Sequence, residues 1–129
     1  MVTKDISKES IDSGKQLLRE LDKANIKVDA AFWFFFSDDS DWKLVFSLPQ
    51  EIKNGPKKAY LVIQKVYARI GGNLPGLDIN DVLLMMEDNP LVNILKIMIR
   101  TGPEISEIRL TQNVINGTLI EDAVIYRLL

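Results

Sequence analysis

The stretch from Ala30 to Pro49 constrains the fold of this chain more than any other part of its sequence. It joins a run of aromatic residues, a polar segment from Ser37 to Asp41, and a run in which apolar and polar residues alternate. Aromatic and β-branched side chains favour strands, whereas Ser and Asp favour turns because they hydrogen-bond to nearby backbone. The stretch therefore predicts a β-hairpin.

The register of this hairpin decides which side chains share a face of the sheet. Pairing Phe36 with Trp42 predicts a core face made of Ala30, Phe32, Phe34, Phe36, Trp42, Leu44, Phe46 and Leu48. The opposite face then carries four residues that form a candidate interface, namely Trp33, Phe35, Lys43 and Val45. That face is too apolar to remain in water, so either a helix of this chain or a partner chain covers it. A shift of one residue would exchange the faces of the second strand relative to the first.

Composition narrows the class of protein. The 129 residues fit one domain, and the 47% hydrophobic and 26% charged residues are typical of a globular protein. A net charge of −2 provides no global field that would attract nucleic acid. The chain has no cysteine and no histidine, which removes the thiolate nucleophile, the commonest general base and the commonest transition-metal ligands.

Targeting and membrane segments are not expected. The N-terminal residues, Met1 to Asp5, contain no apolar core of the kind that a signal peptide needs. No apolar run approaches the roughly 20 residues of a membrane span. The sequence thus predicts a soluble cytoplasmic protein that has no membrane partner, and no motif in it indicates a cofactor or a resident metal.

Three amphipathic segments predict helices, at Ser7 to Ala24, at Pro56 to about Ile70, and from Asn89-Pro90 to Arg100. Gly14 lies inside the first and costs about 1 kcal/mol relative to alanine, so either the helix starts near Ser13 or another element packs closely there. The apolar run from Val82 to Met86 predicts a short buried strand.

A second hairpin is predicted at Asn116-Gly117, the residue pair typical of a two-residue turn. Pairing Ile115 with Thr118 places six apolar residues on one face, namely Ile108, Leu110, Val114, Leu119, Ala123 and Ile125. Residues 118–128 also admit a helix opened by a capping box, but their Val, Ile and Tyr content favours a strand.

The predicted element order is α-β-β-α-β-α-β-β. It describes a single α+β domain, residues 1–129, in which three helices pack on a mainly antiparallel sheet. The sheet contains two hairpins, at about 28–48 and 106–127.

Several short motifs resemble those of a small family of uncharacterised prokaryotic proteins. They are Ala30-Ala-Phe-Trp33, Trp42-x-Leu44 with Pro49, Gly55-Pro56 with Ala59-Tyr60, and Ile120-Glu-Asp-Ala123 with Tyr126-Arg127. The motifs are aromatic and structural. The resemblance implies a single-domain α+β protein and no particular activity, substrate or functional residue.

Three sets of polar residues are candidate sites. Asp41, Glu51 and Lys53 would be the catalytic carboxylates and lysine of a small metal-dependent phosphodiesterase or nuclease. Gly55, Lys57 and Lys58 would bind an anion at a helix start. Arg109, Thr111, Asp122 and Tyr126 would form a polar cluster on the second hairpin. Each set has a structural interpretation that we favour, respectively a solvated loop, a basic turn and a cross-strand ion pair.

The sequence therefore supports three hypotheses about function. The first, favoured because no catalytic motif is present, is a non-enzymatic interaction or structural module that binds another chain or a second copy of itself, through the face of Trp33 and Phe35 or through a free edge strand. The second is the metal-dependent phosphodiesterase. The third is a nucleic-acid-binding module that uses a basic stripe, namely Lys53, Lys57, Lys58, Lys65 and Arg69.

Overall fold

A computed structural model describes residues 5–129 of the chain. The expectation about a signal peptide rests mainly on residues 1–4, which lie outside this range. The elements follow in the order α1 (Lys8–Lys23), β1 (Ala30–Phe36), β2 (Asp41–Ser47), α2 (Pro56–Arg69), β3 (Val82–Leu84), α3 (Pro90–Met98), β4 (Ile108–Ile115) and β5 (Thr118–Leu128). The predicted α+β class and element order are confirmed, and residues 118–128 form a strand and not a helix.

The five strands form one mixed sheet in the order β3-β2-β1-β5-β4. All pairs are antiparallel except β2 with β3. The aromatic strand β1 lies at the centre, where both of its faces can be covered, which explains why its sequence is apolar without alternation. All of its residues except Phe36 are buried.

Local signals in the sequence account for the helix ends. The side chain of Ser7 caps α1 by accepting a hydrogen bond from the Ser10 backbone, and Asn25 follows the helix in the left-handed conformation. Pro56 and Pro90 occupy the first turns of α2 and α3, where a missing N–H has no cost.

The hairpin of β1 and β2 has a register one residue away from the prediction. Phe36 pairs with Asp41 and Phe35 pairs with Trp42, so the prediction that Phe36 pairs with Trp42 was wrong. The cause is a four-residue loop, which Ser40 closes by adopting the left-handed conformation and donating its N–H to the carbonyl of Ser37 at 3.2 Å. Asp41 then belongs to the strand and not to the loop.

This register places the odd-numbered residues of β1 on the same face as the apolar residues of β2. Helices α1 and α2 cover this face, which we call the two-helix face. Its core includes Ala31, Trp33, Phe35, Trp42, Leu44, Phe46, Val124 and Tyr126. On the opposite face, which we call the α3 face, the short helix α3 packs on Ala30, Phe32, Phe34, Val45, Leu110, Ala123 and Ile125. The domain therefore has three layers.

The hairpin of β4 and β5 shows the predicted pairing but not the predicted faces throughout. Ile115 pairs with Thr118 as expected. However, Gln112 has a φ of 50°, and beyond it the faces exchange. Ile115 and Ile120 are buried in the α3 face, whereas Val114 and Leu119, predicted to share a face with Leu110, are 67% and 48% exposed. A left-handed residue in mid-strand rotates the end of the hairpin, which alternation alone cannot predict.

Candidate functional site

The four residues of the predicted interface do not form one surface. Trp33 and Phe35 are each 2% exposed and lie beneath α1 and α2, whereas Val45 is fully buried in the α3 face. Lys43 lies near the sheet edge, where its ammonium is 3.7 Å from Asp41. Of the two alternatives for covering the aromatic face, the structure therefore shows a cover made by helices of this chain. The prediction of an exposed interface on this face was wrong. In the observed register, the apolar side chains of Trp42, Leu44 and Phe46 lie on the same face as Trp33, and helices cover that face.

Trp33 takes part in a buried hydrogen-bond network with Tyr126. The indole N–H of Trp33 donates to the Tyr126 hydroxyl at 2.9 Å, and this hydroxyl donates to the carbonyl of Ile11 at 2.5 Å. Gly14 lies against the same two side chains, and a Cβ there would clash with the hydroxyl and the indole nitrogen. Close packing, and not a late helix start, thus explains the glycine in α1.

Tyr126 gives a pH dependence that can be measured. Burial raises the pKa of its hydroxyl from the ordinary value of 10.0, and the hydrogen bond from Trp33 offsets only part of this. The unfolded chain releases the proton near pH 10 while the folded protein keeps it. The stability from this group is therefore complete below pH 10 and falls above it, by up to about 1.4 kcal/mol per pH unit.

We expect Tyr126→Phe to be less stable than the wild type at about pH 8. The Trp33 N–H and the Ile11 carbonyl each lose a buried partner, at a cost of about 1–3 kcal/mol in all. The difference should narrow above pH 10, since phenylalanine has no proton to lose. Urea unfolding of both proteins from about pH 8 to pH 11 measures the difference. A difference that stays constant over this range would contradict the prediction.

The polar cluster predicted on the second hairpin is partly assembled. Arg109 donates two hydrogen bonds of 2.6 Å to Asp122, and its guanidinium lies 5.8 Å from the centre of the Trp42 ring. Thr111 pairs across from Asp122 and is exposed, whereas Tyr126 is buried in the network described above. The pKa of Arg109 is raised, chiefly by its hydrogen bond to Asp122. Arg109 and Asp122 thus satisfy each other, in line with the cross-strand ion pair that we favoured.

A second arginine–carboxylate pair has no counterpart in the sequence predictions. Arg127 on β5 is 4% exposed, and two of its nitrogens donate to the Asp22 carboxylate on α1 at 2.9 and 2.8 Å. Its third nitrogen, Nε, is buried without a partner among residues 5–129. The pair joins the last strand to the first helix, and the sequence separation of 105 residues hides it from local pattern reasoning.

The residues proposed for metal chemistry show no metal-binding arrangement. Asp41 begins β2, while Glu51 and Lys53 lie in a 3₁₀ turn after Pro49. Within residues 5–129, no group of three or more acidic side chains is close enough together to hold a metal ion. Asp81, whose pKa is raised chiefly by burial, lies 4.0 Å from Lys43, so this lysine is near two carboxylates.

The predicted anion site is an open helix start. Gly55 precedes α2 with a φ of 99°, and no side chain caps the helix there. Lys57 and Lys58 are exposed in the first turn. This geometry leaves backbone N–H groups free, as at any uncapped helix N-terminus.

Helix α3 presents a surface that the sequence predictions missed. In the sequence, Leu91, Ile94, Leu95 and Met98 are spaced as one apolar stripe of this helix. Leu91, Ile94 and Leu95 do pack against the core together with Val92, whereas Met98 is exposed. Ile97 is 63% exposed and Met98 is 45% exposed, and nearby in the chain Met86 is 57% exposed. The signal that could have revealed this surface is composition, because only two of the nine residues of α3 are polar.

The two polar residues of α3 are bound within their own chain. Lys96 donates to Asp29 at 2.6 Å, and the amide of Asn93 donates to the carbonyl of Asp88 at 3.2 Å. The outward side of the helix, which we call the α3 surface, is mainly apolar and carries no unpaired charge. Its exposed apolar residues are Pro90, Ile97 and Met98, with Asn93 as the one exposed polar residue, whereas Leu91 and Ile94 are half-buried and pack against the core of the α3 face.

Comparisons of the chain with protein-family models, curated proteins and solved structures found no match. The resemblance to a small prokaryotic family stays a prediction. In residues 5–129, no helix has both the length and the apolarity needed to cross a membrane.

Proposed function

We propose that this protein is a non-enzymatic interaction module that binds another polypeptide chain through the α3 surface. The observation that carries this proposal is a surface helix that is apolar around most of its circumference. Val92 and Leu95 are buried against the sheet and Leu91 and Ile94 are half-buried beside them, whereas Ile97 and Met98 are exposed on the other side of the helix. A helix that is apolar on all sides is normally buried on all sides.

The proposal keeps the favoured hypothesis from the sequence but moves the surface. Trp33 and Phe35 stabilise the fold, and α3 supplies the exposed apolar area instead. Contiguous exposed apolar area is typical of association surfaces, and methionine is enriched at them because its flexible side chain adapts to a partner. A cytoplasmic location is part of the same proposal and rests on the sequence alone.

A photoreactive residue at position 97 tests the proposal. We expect benzoylphenylalanine in place of Ile97 to give a discrete cross-linked product after irradiation in the cells that naturally make the protein. The same residue in place of Gln64, which is exposed on α2, is the matched control and should give no such product. Mass spectrometry of the product identifies the partner. Equal labelling from both positions, or none from position 97, would overturn the proposal.

A further inference from the structure

We infer that the partner of the α3 surface is a second copy of this chain, and that the two α3 helices pack antiparallel about a two-fold axis. This inference rests on the proposed function of the α3 surface. It is carried by the opposite charges that flank the helix, together with the exposed apolar residues Ile97 and Met98 between them.

Opposite charges mark the two ends of α3. Glu87 and Asp88 precede the helix and are exposed, whereas Arg100 follows it and is also exposed. None of the three takes part in an ion pair within residues 5–129, although Arg100 donates one hydrogen bond to the carbonyl of Leu129 at 2.8 Å. The acidic end of one helix therefore complements the basic end of an identical, oppositely directed helix.

The charges at the two ends of α3 fit an antiparallel pair of helices. In such a pair, Asp88 of one copy meets Arg100 of the other, and the same contact recurs at the opposite end. The exposed side chains of Ile97 and Met98 lie between these charges in each copy. An isologous interface needs this kind of self-complementarity.

The opposite arrangement is unfavourable. Parallel helices would bring Asp88 beside the second Asp88 and Arg100 beside the second Arg100, and like charges in contact weaken association. A strongly charged partner is also disfavoured, since the centre of the surface carries no unpaired charge of its own. The α3 surface thus fits a neutral apolar stripe with an acidic and a basic end, which is the chemistry of α3 itself.

Two charge reversals test the arrangement, with solution mass measured by light scattering. Asp88→Arg alone places two positive charges at each end of the pair, and Arg100→Glu alone places two negative charges there. We expect either variant to raise the dimer dissociation constant by about tenfold or more. An equimolar mixture of the two variants should form a heterodimer, because both ends of that pair again combine opposite charges. Circular dichroism of each variant confirms that the fold is kept.

The outcomes separate this inference from the proposed function. Recovery of the dimer in the mixture supports antiparallel pairing. A wild type that is monomeric at all concentrations, or a mixture that is no more dimeric than its components, overturns it. If the cross-linked product from position 97 then contains a different protein, the proposed function stands without self-pairing; if position 97 gives no product, both fail.

Discussion

Trp33→Ser is expected to lose about 3–5 kcal/mol of folding free energy, a large part of the roughly 5–15 kcal/mol that stabilises a typical domain. The indole is 2% exposed between the sheet and helices α1 and α2, so its removal leaves a cavity that the surrounding core cannot fill. The Tyr126 hydroxyl also loses the N–H that it accepts. Urea unfolding followed by circular dichroism measures the loss.

Two variants make this result specific. Trp33→Phe keeps most of the ring volume and removes the N–H, so it should be less destabilised than Trp33→Ser. Val114→Ser removes an apolar side chain that is 67% exposed and should change stability by no more than about 0.5 kcal/mol. If Trp33→Ser were as stable as Val114→Ser, α1 and α2 would not cover this face of the sheet.

Asp22→Ala is expected to cost about 3 kcal/mol, although Asp22 is a half-exposed residue near the end of α1. Its carboxylate is the partner of the buried Arg127, and a buried charge without its partner costs about 3–5 kcal/mol. The lower end of this range applies because the side chain of Asp22 is 38% exposed, so its loss admits water to the guanidinium. Equilibrium unfolding in urea gives the difference.

The matched control lies on the same helix. Glu20 pairs with Lys23 at 3.4 Å, and the lysine side chain is 66% exposed, so Lys23 stays hydrated without its partner and Glu20→Ala should cost no more than about 0.5 kcal/mol. The double variant Asp22→Ala, Arg127→Met removes both charges and should regain much of the stability lost in Asp22→Ala. If the loss of stability in the double variant were the sum of the losses in Asp22→Ala and Arg127→Met, the buried charge of Arg127 would not be the cause of the loss in Asp22→Ala.

The element order could be predicted because its signals are local. Ser7, Pro56 and Pro90 mark helix starts through capping and a preset φ, and Asn116-Gly117 selects a two-residue turn. These effects act within a few residues of the chain. These signals can therefore be recognised in a single sequence.

It was harder to predict which side chains lie on which face of the sheet, because this depends on the backbone conformation of single residues. Every residue from Ser37 to Asp41 is a good turn former, so composition does not show that Ser40 ends the loop and Asp41 begins the strand. Gln112 adopts a positive φ that its residue type does not favour. Ser40 exchanges the faces of β2 relative to β1, and Gln112 exchanges the faces at the end of the second hairpin, around Val114 and Leu119.

The candidate site was misplaced for the same reason. Because the predicted register was wrong by one residue, Trp33 was assigned to an exposed face and to an interface. The structure shows it in the core, where its indole N–H donates a hydrogen bond to Tyr126. The α3 surface was missed because one apolar stripe, that of Leu91, Ile94, Leu95 and Met98, is enough to explain a helix packed on the sheet. Ile97 lies outside that stripe and was not considered. A helix with only two polar residues should instead be examined for two stripes.

The solution mass of the wild type, measured beside Ile97→Lys and Leu61→Lys by size-exclusion chromatography with light scattering, tests the role of the α3 surface most directly. Leu61 is the matched control, since it is an exposed apolar residue on α2, 43% exposed. Over a tenfold range of micromolar concentration, we expect the wild type and Leu61→Lys to approach twice the mass of the chain and Ile97→Lys to remain a monomer. A monomeric wild type, or an Ile97→Lys variant that dimerises as the wild type does, would contradict self-pairing through the α3 surface.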